Sequence, residues 1–414
     1  MTSSVGVLDT GVVSSRALLP EPHAYWNYSS LKEIEECPRR YALARASYPG
    51  LWKGPGYPPM PTVPALFGNV VHGALEVVVK AFAAAGVESP QAIEATEVLR
   101  KLGGLTAVVE DVVTTQLAPL DSNPRLDQDR RRRIARELRA QTSDARVQVQ
   151  TYLSRSVFVP GVSARRCARV DTIAGQSQPR VRQPLGQGSH TEVSLIADNL
   201  RLLGRIDLVT IASEKVDIVD YKTGIEVASH REQLRLYALL WDADRQVNPE
   251  RRTVSSLTAA YRDHDVNVNV PMEEDLQELA SSISAKIKRA DAELVSGAPT
   301  PRPSLSNCKR CAVRQLCDGY WKQVPPKPSE IRAGEWFDFE GTVGQQNGQR
   351  SWWMADPDTG QAELLLRVMS ATPLFASGDR VRILGLRGET DPDIDAPLAL
   401  LTASSEVFHV EAPS

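Results

Sequence analysis

Three residues in the middle of the chain, Asp207, Asp220 and Lys222, have types and a spacing that could do chemistry. Asp220 and Lys222 lie two residues apart in a run of strand-forming residues, so alternation along a strand would point both side chains to one face. Asp207, in the preceding run, could lie opposite them across a hairpin. Two carboxylates suit Mg²⁺ or Mn²⁺, which prefer oxygen ligands. The lysine could position or deprotonate an attacking water and stabilise charge developing on a phosphate.

The same pattern has a plainer interpretation, a surface ion pair between Asp220 and Lys222. A lone Asp-x-Lys pattern would more often be such a pair. However, Asp220 interrupts an otherwise apolar run, where an unpaired carboxylate is costly to bury. Glu192, in the run before, could be a further acidic ligand that acts through a second metal or a water. It could equally be a charged residue at a strand edge, and both alternatives stay open.

The elements that must position these residues form a mixed α/β pattern. A helix from Ser30, with Glu33 in a capping box, is expected to run to Arg45, and a loop rich in Pro and Gly follows at 47–64. Apolar spacing then predicts helices from residue 66 to about 157. Beyond them the pattern predicts strands at 192–196, 202–211, 216–221, 253–261 and 266–270, and helices at 231–241 and 273–294.

The chain of 414 residues is long enough for two or three domains. We expect an N-terminal segment at 1–25, a main domain at 26–322, a Pro-rich linker at 323–330 and a β domain at 331–414. In the last of these, strand patterns at 336–343, 351–355, 362–368, 380–386 and 398–410 are typical of a small OB-like β-barrel. No Walker A pattern is present, which argues against a motor ATPase.

Four short motifs, taken together, resemble the PD-(D/E)XK superfamily and its RecB-like branch. Residues 219–224 resemble the D-Y-K-T-G core, 204–207 the G-x-x-D motif, and 67–72 with Glu76 the helical G-x-x-x-H motif. Gln233 and Tyr237 match Q-x-x-x-Y and would share one helix face. The resemblance covers about residues 30–320. It implies a restriction-endonuclease-like core, with a mixed sheet flanked by helices, and a helical N-terminal region.

The resemblance also implies roles for individual residues. His72, Asp207 and Asp220 would bind Mg²⁺ or Mn²⁺, and Lys222 would be catalytic, with Glu192 as a further candidate. The expected substrate-binding residues are Arg205, Tyr221, Gln233 and Tyr237.

Cysteines form a second cluster in the sequence. Cys308, Cys311 and Cys317 supply three thiols, too few for a closed four-ligand site, and distant Cys37 is the fourth candidate. This pattern resembles the [4Fe–4S] staple of AddB-type and CRISPR-adaptation nucleases, which would hold the helical N-terminus to the end of the core. Zn²⁺, which also accepts four thiolates, is the alternative. Cys167 is expected to be a free thiol.

The net charge of −3 and the pI near 6.1 give no overall attraction to nucleic acid, so DNA binding would need a locally basic face. The candidates are the arginines at 130–133 with Arg136 and Arg139, and those at 39, 40 and 45. The first set could equally be a solvated helix face balanced by Asp127, Asp129 and Glu137. In the β domain, Trp336, Phe337, Phe339, Trp352 and Trp353 could stack on bases, although core packing is the commoner fate of such residues.

These observations predict a metal-dependent DNA nuclease that acts on single-stranded or free-ended DNA in repair, recombination or defence, alone or with a separately encoded helicase. With no membrane-length apolar run and no secretory signal, we expect a cytoplasmic protein without a membrane partner. Two alternatives remain: a catalytically inactive nucleic-acid-binding subunit, and an adaptor whose β domain binds protein.

Overall fold

The structure is a computed structural model that describes residues 18–159, 182–369 and 375–410. Cys167, expected to be a free thiol, lies outside the described residues, as does most of the 1–25 segment. The described helices are α1 (Tyr28–Glu36), α2 (Pro38–Arg45), α3 (Val63–Ala85), α4 (Ile93–Lys101), α5 (Leu105–Leu117), α6 (Gln128–Ala140), α7 (Thr142–Arg155), α8 (Ala228–Ala243), α9 (Glu273–Val295), α10 (Leu305–Cys308) and α11 (Asp318–Gln323).

The central sheet has five strands in the order β1-β2-β3-β4-β5. They are β1 (Gly188–Ala197), β2 (Leu202–Ala212), β3 (Lys215–Lys222), β4 (Val254–Tyr261) and β5 (Asp265–Val268). The pair β3–β4 is parallel and the other pairs are antiparallel, so the sheet is mixed. In the β2–β3 hairpin Leu208 lies opposite Val219, which brings Asp207 and Asp220 to the same end of the paired segment.

Helices cover both faces of this sheet. On one face, Val209, Ile218 and Leu257 pack with apolar residues of α1, α2, α8 and α9. On the other face, Leu208 and Tyr221 pack with α3 to α7. The sequence-based prediction of an α/β fold, with a mixed sheet flanked by helices and a helical N-terminal region, is confirmed.

The expected single helix from Ser30 to Arg45 is wrong, because the chain breaks at Cys37 and Pro38. The first helix is capped by Asn27, whose side-chain oxygen accepts a hydrogen bond from the backbone N–H of Ser30 at 2.8 Å. Cys37 has extended dihedral angles, and Pro38 occupies the first turn of α2, where its missing N–H costs nothing. The break places Cys37 at the start of α2.

Residues beyond 331 form a closed five-stranded barrel. Its strands are β6 (Trp336–Gln346), β7 (Ser351–Ala355), β8 (Ala362–Val368), β9 (Arg380–Glu389) and β10 (Leu398–Leu401), and β11 (Glu406–His409) extends it. The order around the barrel is β10-β8-β7-β6-β9, and β10 pairs with β8 in parallel and with β9 antiparallel, which closes it. The predicted strand at 398–410 is in fact two strands, because a turn at 402–405 separates them.

Most of the barrel's large aromatic residues are in its core, as expected. Phe337, Phe339 and Trp352 are buried there, and Trp353 is partly buried. Trp336, at the start of β6, is 57% exposed.

Buried charged side chains dock the barrel on the segment that contains three of the cysteines. Asp338 of β6 accepts hydrogen bonds from Arg314 Nε and the Tyr320 hydroxyl, both at 2.6 Å. Arg382 of β9 donates to the carbonyl oxygen of Gln315 at 2.8 Å. The Pro-rich segment at 323–330 therefore connects two bodies that are in direct contact.

Arg125 lies where the helical region, the cysteine segment and the barrel meet. Its guanidinium donates to both carboxylate oxygens of Glu406, at 2.7 and 3.3 Å, and to the carbonyl oxygen of Ala312 at 2.6 Å. The side chain is only 2% exposed. It is a structural arginine with three regions of the chain as partners.

The structure divides the basic run on α6. Arg130 is buried and donates to the carbonyl oxygens of Ala403 and Ser405 in the barrel, and Arg131 donates to that of Leu126. These two residues are therefore not available as phosphate contacts. The four other arginines remain exposed: Arg132, Arg133, Arg136 and Arg139.

Within the described residues, α3 is the one helix long and apolar enough to cross a membrane by length and composition. Val70, Val71, Leu75 and Val78 of this helix are buried against α5, α7 and the sheet. The packing is that of a core helix.

Candidate active site

The ends of β2 and β3 bring Asp207, Asp220 and Lys222 together. Asp207 Oδ2 accepts a hydrogen bond of 2.7 Å from the backbone N–H of Tyr221. Asp220 is 3% exposed and forms an ion pair with Lys222 through Oδ2. Apart from this ion pair, the same buried oxygen has no hydrogen-bond partner among the described residues. Such an atom is costly to bury without a further partner.

The electrostatics of this site favour an added cation. Burial, reinforced by the charge of Asp220, raises the pKa of Asp207 well above its usual range. Since desolvation and a neighbouring carboxylate both disfavour the ionised form, a bound cation would relieve both effects.

His72 joins the site from α3. Its Nδ1 lies 3.7 Å from Asp207 Oδ2, and burial lowers the pKa of the imidazole, which favours the neutral form that binds metals. Gly68, one turn earlier, explains the close approach of the helix. A Cβ atom at Gly68 would lie 2.9 Å from Thr223 Oγ1, in the loop after β3. The spacing of Gly68 and His72 thus combines close packing with an imidazole at the site one turn further on.

Two side chains on α8 complete a hydrogen-bonded chain from the lysine. Lys222 Nζ donates to Gln233 Oε1 at 2.8 Å, and Gln233 Nε2 donates to the Tyr237 hydroxyl at 2.7 Å. Gly204 lets β2 approach this helix, because a Cβ there would lie 2.5 Å from Leu240 Cδ1 and 3.2 Å from the Tyr237 ring. The helix therefore sets the direction in which the ammonium group points.

Glu192 lies on β1 next to the site and forms an ion pair with Arg205. Its φ of +52° is in the left-handed region, which a non-glycine residue seldom adopts inside a strand. Burial raises the pKa of its carboxyl group. Arg205 is 58% exposed and also reaches Glu76 Oε1 of α3 at 3.5 Å. Both residues are thus beside Asp207, with Arg205 at the open edge.

Tyr221, expected to bind substrate, does not line the site. Strand alternation points its side chain to the opposite face from Asp220 and Lys222, where its hydroxyl pairs with that of Ser156 at 3.0 Å and its ring packs against Tyr152. Burial raises its pKa. Tyr221 contributes to the site through its backbone N–H, which donates a hydrogen bond to Asp207.

The described residues contain no group of three or more His, Cys, Asp or Glu side chains arranged to hold a metal ion. The side-chain types at the site nevertheless suit a divalent cation, because His72 lies beside Asp207 and one buried oxygen of Asp220 has no hydrogen-bond partner among the described residues. In this arrangement the ligands would be His72, Asp207 and Asp220.

The four cysteines predicted to act together line one small cavity: Cys37, Cys308, Cys311 and Cys317. None of them is in a disulfide, and three are buried. Burial raises the pKa of Cys311 to about 11, and the neighbouring thiols of Cys308 and Cys37 add to the effect. The four thiols thus line one cavity, and a positively charged group bound there would offset the cost of ionising the buried Cys311.

The sequence model of the PD-(D/E)XK nuclease superfamily matches residues 25–318. This range contains every residue of the site and all four of these cysteines. The chain belongs to the PD-(D/E)XK nuclease superfamily. Among curated proteins, none matches. A solved structure described as "Crystal structure of SSO0001" is similar at 20% identity, with a TM-score of 0.19, over 31% of this chain and 60% of that one. The chain thus spans about 60% of that protein's length.

Members of the PD-(D/E)XK superfamily are nucleases, a class of hydrolases, and they generally use divalent metals such as Mg²⁺. The prediction of this superfamily from the sequence motifs is confirmed. Sequence reasoning missed the side chains around Lys222 that come from α1 and from the start of α8. Their types carry no motif, and the contacts arise only when the two helices meet.

Proposed function

We propose that this PD-(D/E)XK protein is a metal-dependent deoxyribonuclease of the RecB-like branch that hydrolyses phosphodiester bonds in single-stranded or free-ended DNA. The observation that carries the proposal is the buried Asp220 oxygen, which lies beside Lys222 and has no hydrogen-bond partner in the described part of the chain. A carboxylate pair and a lysine in this setting are better suited to phosphate chemistry than to a purely structural ion pair.

Each residue has a role that its contacts support. Bound Mg²⁺ or Mn²⁺ would polarise the phosphate and lower the pKa of a water. Asp207, Asp220 and His72 would hold the ion. Lys222, oriented by Gln233, would place the attacking water and stabilise negative charge on the phosphate oxygens. Tyr237 orients Gln233, and Arg205, at the exposed edge, would contact the strand.

We propose a [4Fe–4S] cluster at Cys37, Cys308, Cys311 and Cys317, with Zn²⁺ as the alternative. The support is their common cavity and their free thiols. A group bound there would tie the start of α2 to the segment after α9. The chain between these two points, which is most of the superfamily region, would then form a closed loop. On the chain-entropy model, such a closure is worth several kcal/mol.

We further propose that the barrel is of OB type and contributes to DNA binding. Its support is the closed five-stranded topology and the exposed Trp336. We propose that the protein acts in the cytoplasm, in repair, recombination or defence, with a helicase as a candidate partner.

The first test is cleavage of end-labelled single- and double-stranded DNA with Mg²⁺ or Mn²⁺. We expect Lys222→Ala to lose at least about 100-fold in rate, because charge stabilisation at the phosphate is removed. Lys215→Ala is the matched control, since Lys215 is an exposed lysine at the other end of the same strand. Wild-type protein that binds DNA but cuts none with either metal would overturn the nuclease assignment and favour an inactive binding subunit.

The second test concerns the cysteines. Anaerobically purified wild-type protein should have a broad absorption band in the visible region and should contain iron and sulfide. Cys37→Ser should lose the band, the iron and the sulfide. Metal analysis that finds one zinc and no iron would replace the cluster with the alternative ion. Protein with neither metal after anaerobic purification would contradict the proposed site.

A further inference from the structure

An open groove leads away from Lys222 along the surface between α1 and α8. One wall is formed by α1 and Arg40 of α2, and the other by the first turn of α8. The catalytic lysine and Gln233 lie at its inner end. Its lining residues outside the catalytic set are Tyr28, Ser29, Lys32, Glu33, Glu36, Arg40, Ser229 and His230.

The charges in this groove are unevenly compensated. Glu33 pairs with Arg45 at 2.8 Å, and Glu36 pairs with Arg40 at 2.6 Å. In the described part of the chain, Lys32 has no acidic partner, and its ammonium donates instead to the neutral Ser229 Oγ at 3.0 Å. Lys32 is thus a cation in the groove whose charge is not already neutralised, held in position across the groove by α8.

We propose that this groove holds the phosphodiester backbone of the DNA strand next to the scissile bond, with Lys32 Nζ contacting a phosphate. The inference rests on the proposed nuclease function and deepens it by assigning a binding site beyond the catalytic residues. A strand whose scissile phosphate lies at Lys222 must leave the site along an open surface. This groove is such a surface, and it begins at Lys222 itself. Ser229 and His230 add polar groups along its wall.

Salt dependence of binding tests the phosphate contact. Binding of a fluorescent single-stranded oligonucleotide in EDTA would be measured by anisotropy over a range of salt concentrations. Lys32→Ala should bind roughly tenfold more weakly at low salt. The slope of log K against log salt should fall in magnitude by about 0.7, the value for one phosphate contact on a single strand. Lys32→Arg should keep the wild-type slope.

Lys288→Ala is the matched control, because Lys288 is an exposed lysine on α9 that does not line the groove. An unchanged slope for Lys32→Ala, or an equal change for Lys288→Ala, would overturn the groove as a phosphate site. Cleavage by wild type in a parallel reaction with Mg²⁺ or Mn²⁺ would leave the nuclease function standing. Wild-type protein that neither binds nor cuts DNA would overturn both proposals.

A scan with neutral methylphosphonates locates the contact along the strand. Replacing phosphates one at a time near the cut site should slow wild type at one particular position beside the scissile bond. At that position, Lys32→Ala should show no further loss, because the partner of the phosphate is already absent. Equal losses in wild type and Lys32→Ala at every position would contradict the contact.

Discussion

Asp207 and Asp220 lie beside each other with little exposure to water, and a protein without bound metal has to tolerate that proximity. Burial and the charge of Asp220 raise the pKa of Asp207. The folded state therefore binds the Asp207 proton more tightly than the unfolded state does, whose pKa is about 3.9. The resulting stability is present below that pH and is lost as pH rises through the higher folded-state pKa.

Asp207→Asn should stabilise the metal-free protein. The substitution removes the buried charge and keeps an oxygen that can accept the hydrogen bond from the Tyr221 N–H. We expect a gain of about 0.5–2 kcal/mol at neutral pH in EDTA, with loss of nuclease activity. Differential scanning calorimetry at several pH values would measure it.

The stability difference between Asp207→Asn and wild type should be smallest near pH 4 and grow as pH rises, since wild type is protonated at the low end. Saturating Mg²⁺ should reduce the difference by stabilising wild type. A difference that shrinks with rising pH would refute the role of Asp207 ionisation.

At the scale of elements, two glycines set the distances between the helices and the sheet. Gly68 lets α3 approach the loop after β3, and Gly204 lets β2 approach α8. Gly68 belongs to the motif that contains His72, and Gly204 to the motif that contains Asp207. In each case a side chain would push the helix away from the strand end that it helps to complete.

Gly204→Ala should impair both stability and activity. The new methyl group would overlap Leu240 and crowd the Tyr237 ring, and such overpacking costs about 1–3 kcal/mol. Because α8 also carries Gln233, its displacement should lower kcat as well. Urea unfolding and cleavage kinetics would measure the two effects. Gly50→Ala, where a Cβ meets no atom within 4 Å, should change neither.

The elements around the site were largely predictable from the sequence, because strands and helices there have clear periodicity. The proximity of Asp207, Asp220 and Lys222 was predictable because strand alternation and the hairpin place them at one end of the sheet. The left-handed backbone of Glu192 and the break between α1 and α2 were not found, since both depend on packing. The groove at Lys32 was equally hidden, because it needs the relative position of two helices distant in sequence.

At the scale of the whole molecule, the barrel and the cysteine segment share buried charges. Asp338 accepts from Arg314, from Tyr320 and from the backbone N–H of Gly385 at 2.8 Å. Sequence analysis predicted the barrel. It did not show this docking, because no local pattern pairs Asp338 with Arg314.

Asp338→Ala should loosen the barrel from the rest of the protein. Removing one partner of a buried ion pair leaves Arg314 without its carboxylate, which costs about 3–5 kcal/mol. We expect faster proteolysis within 323–330, measured by limited digestion and mass spectrometry. Asp358→Ala, at an exposed position of the barrel, should digest like wild type. Equal digestion of all three proteins would show that Asp338 does not hold the barrel.

The position of Arg125 has a consequence for how the protein is made. Its carboxylate partner, Glu406, follows it by 281 residues. At synthesis rates of about 5–20 residues per second, a ribosome needs roughly 14–56 seconds to translate that interval. Throughout that time the nascent helical region has a guanidinium at a future interface without its carboxylate. Premature termination before the last strand would leave this arginine in the same state permanently, which marks such truncated chains for surveillance by chaperones and proteases.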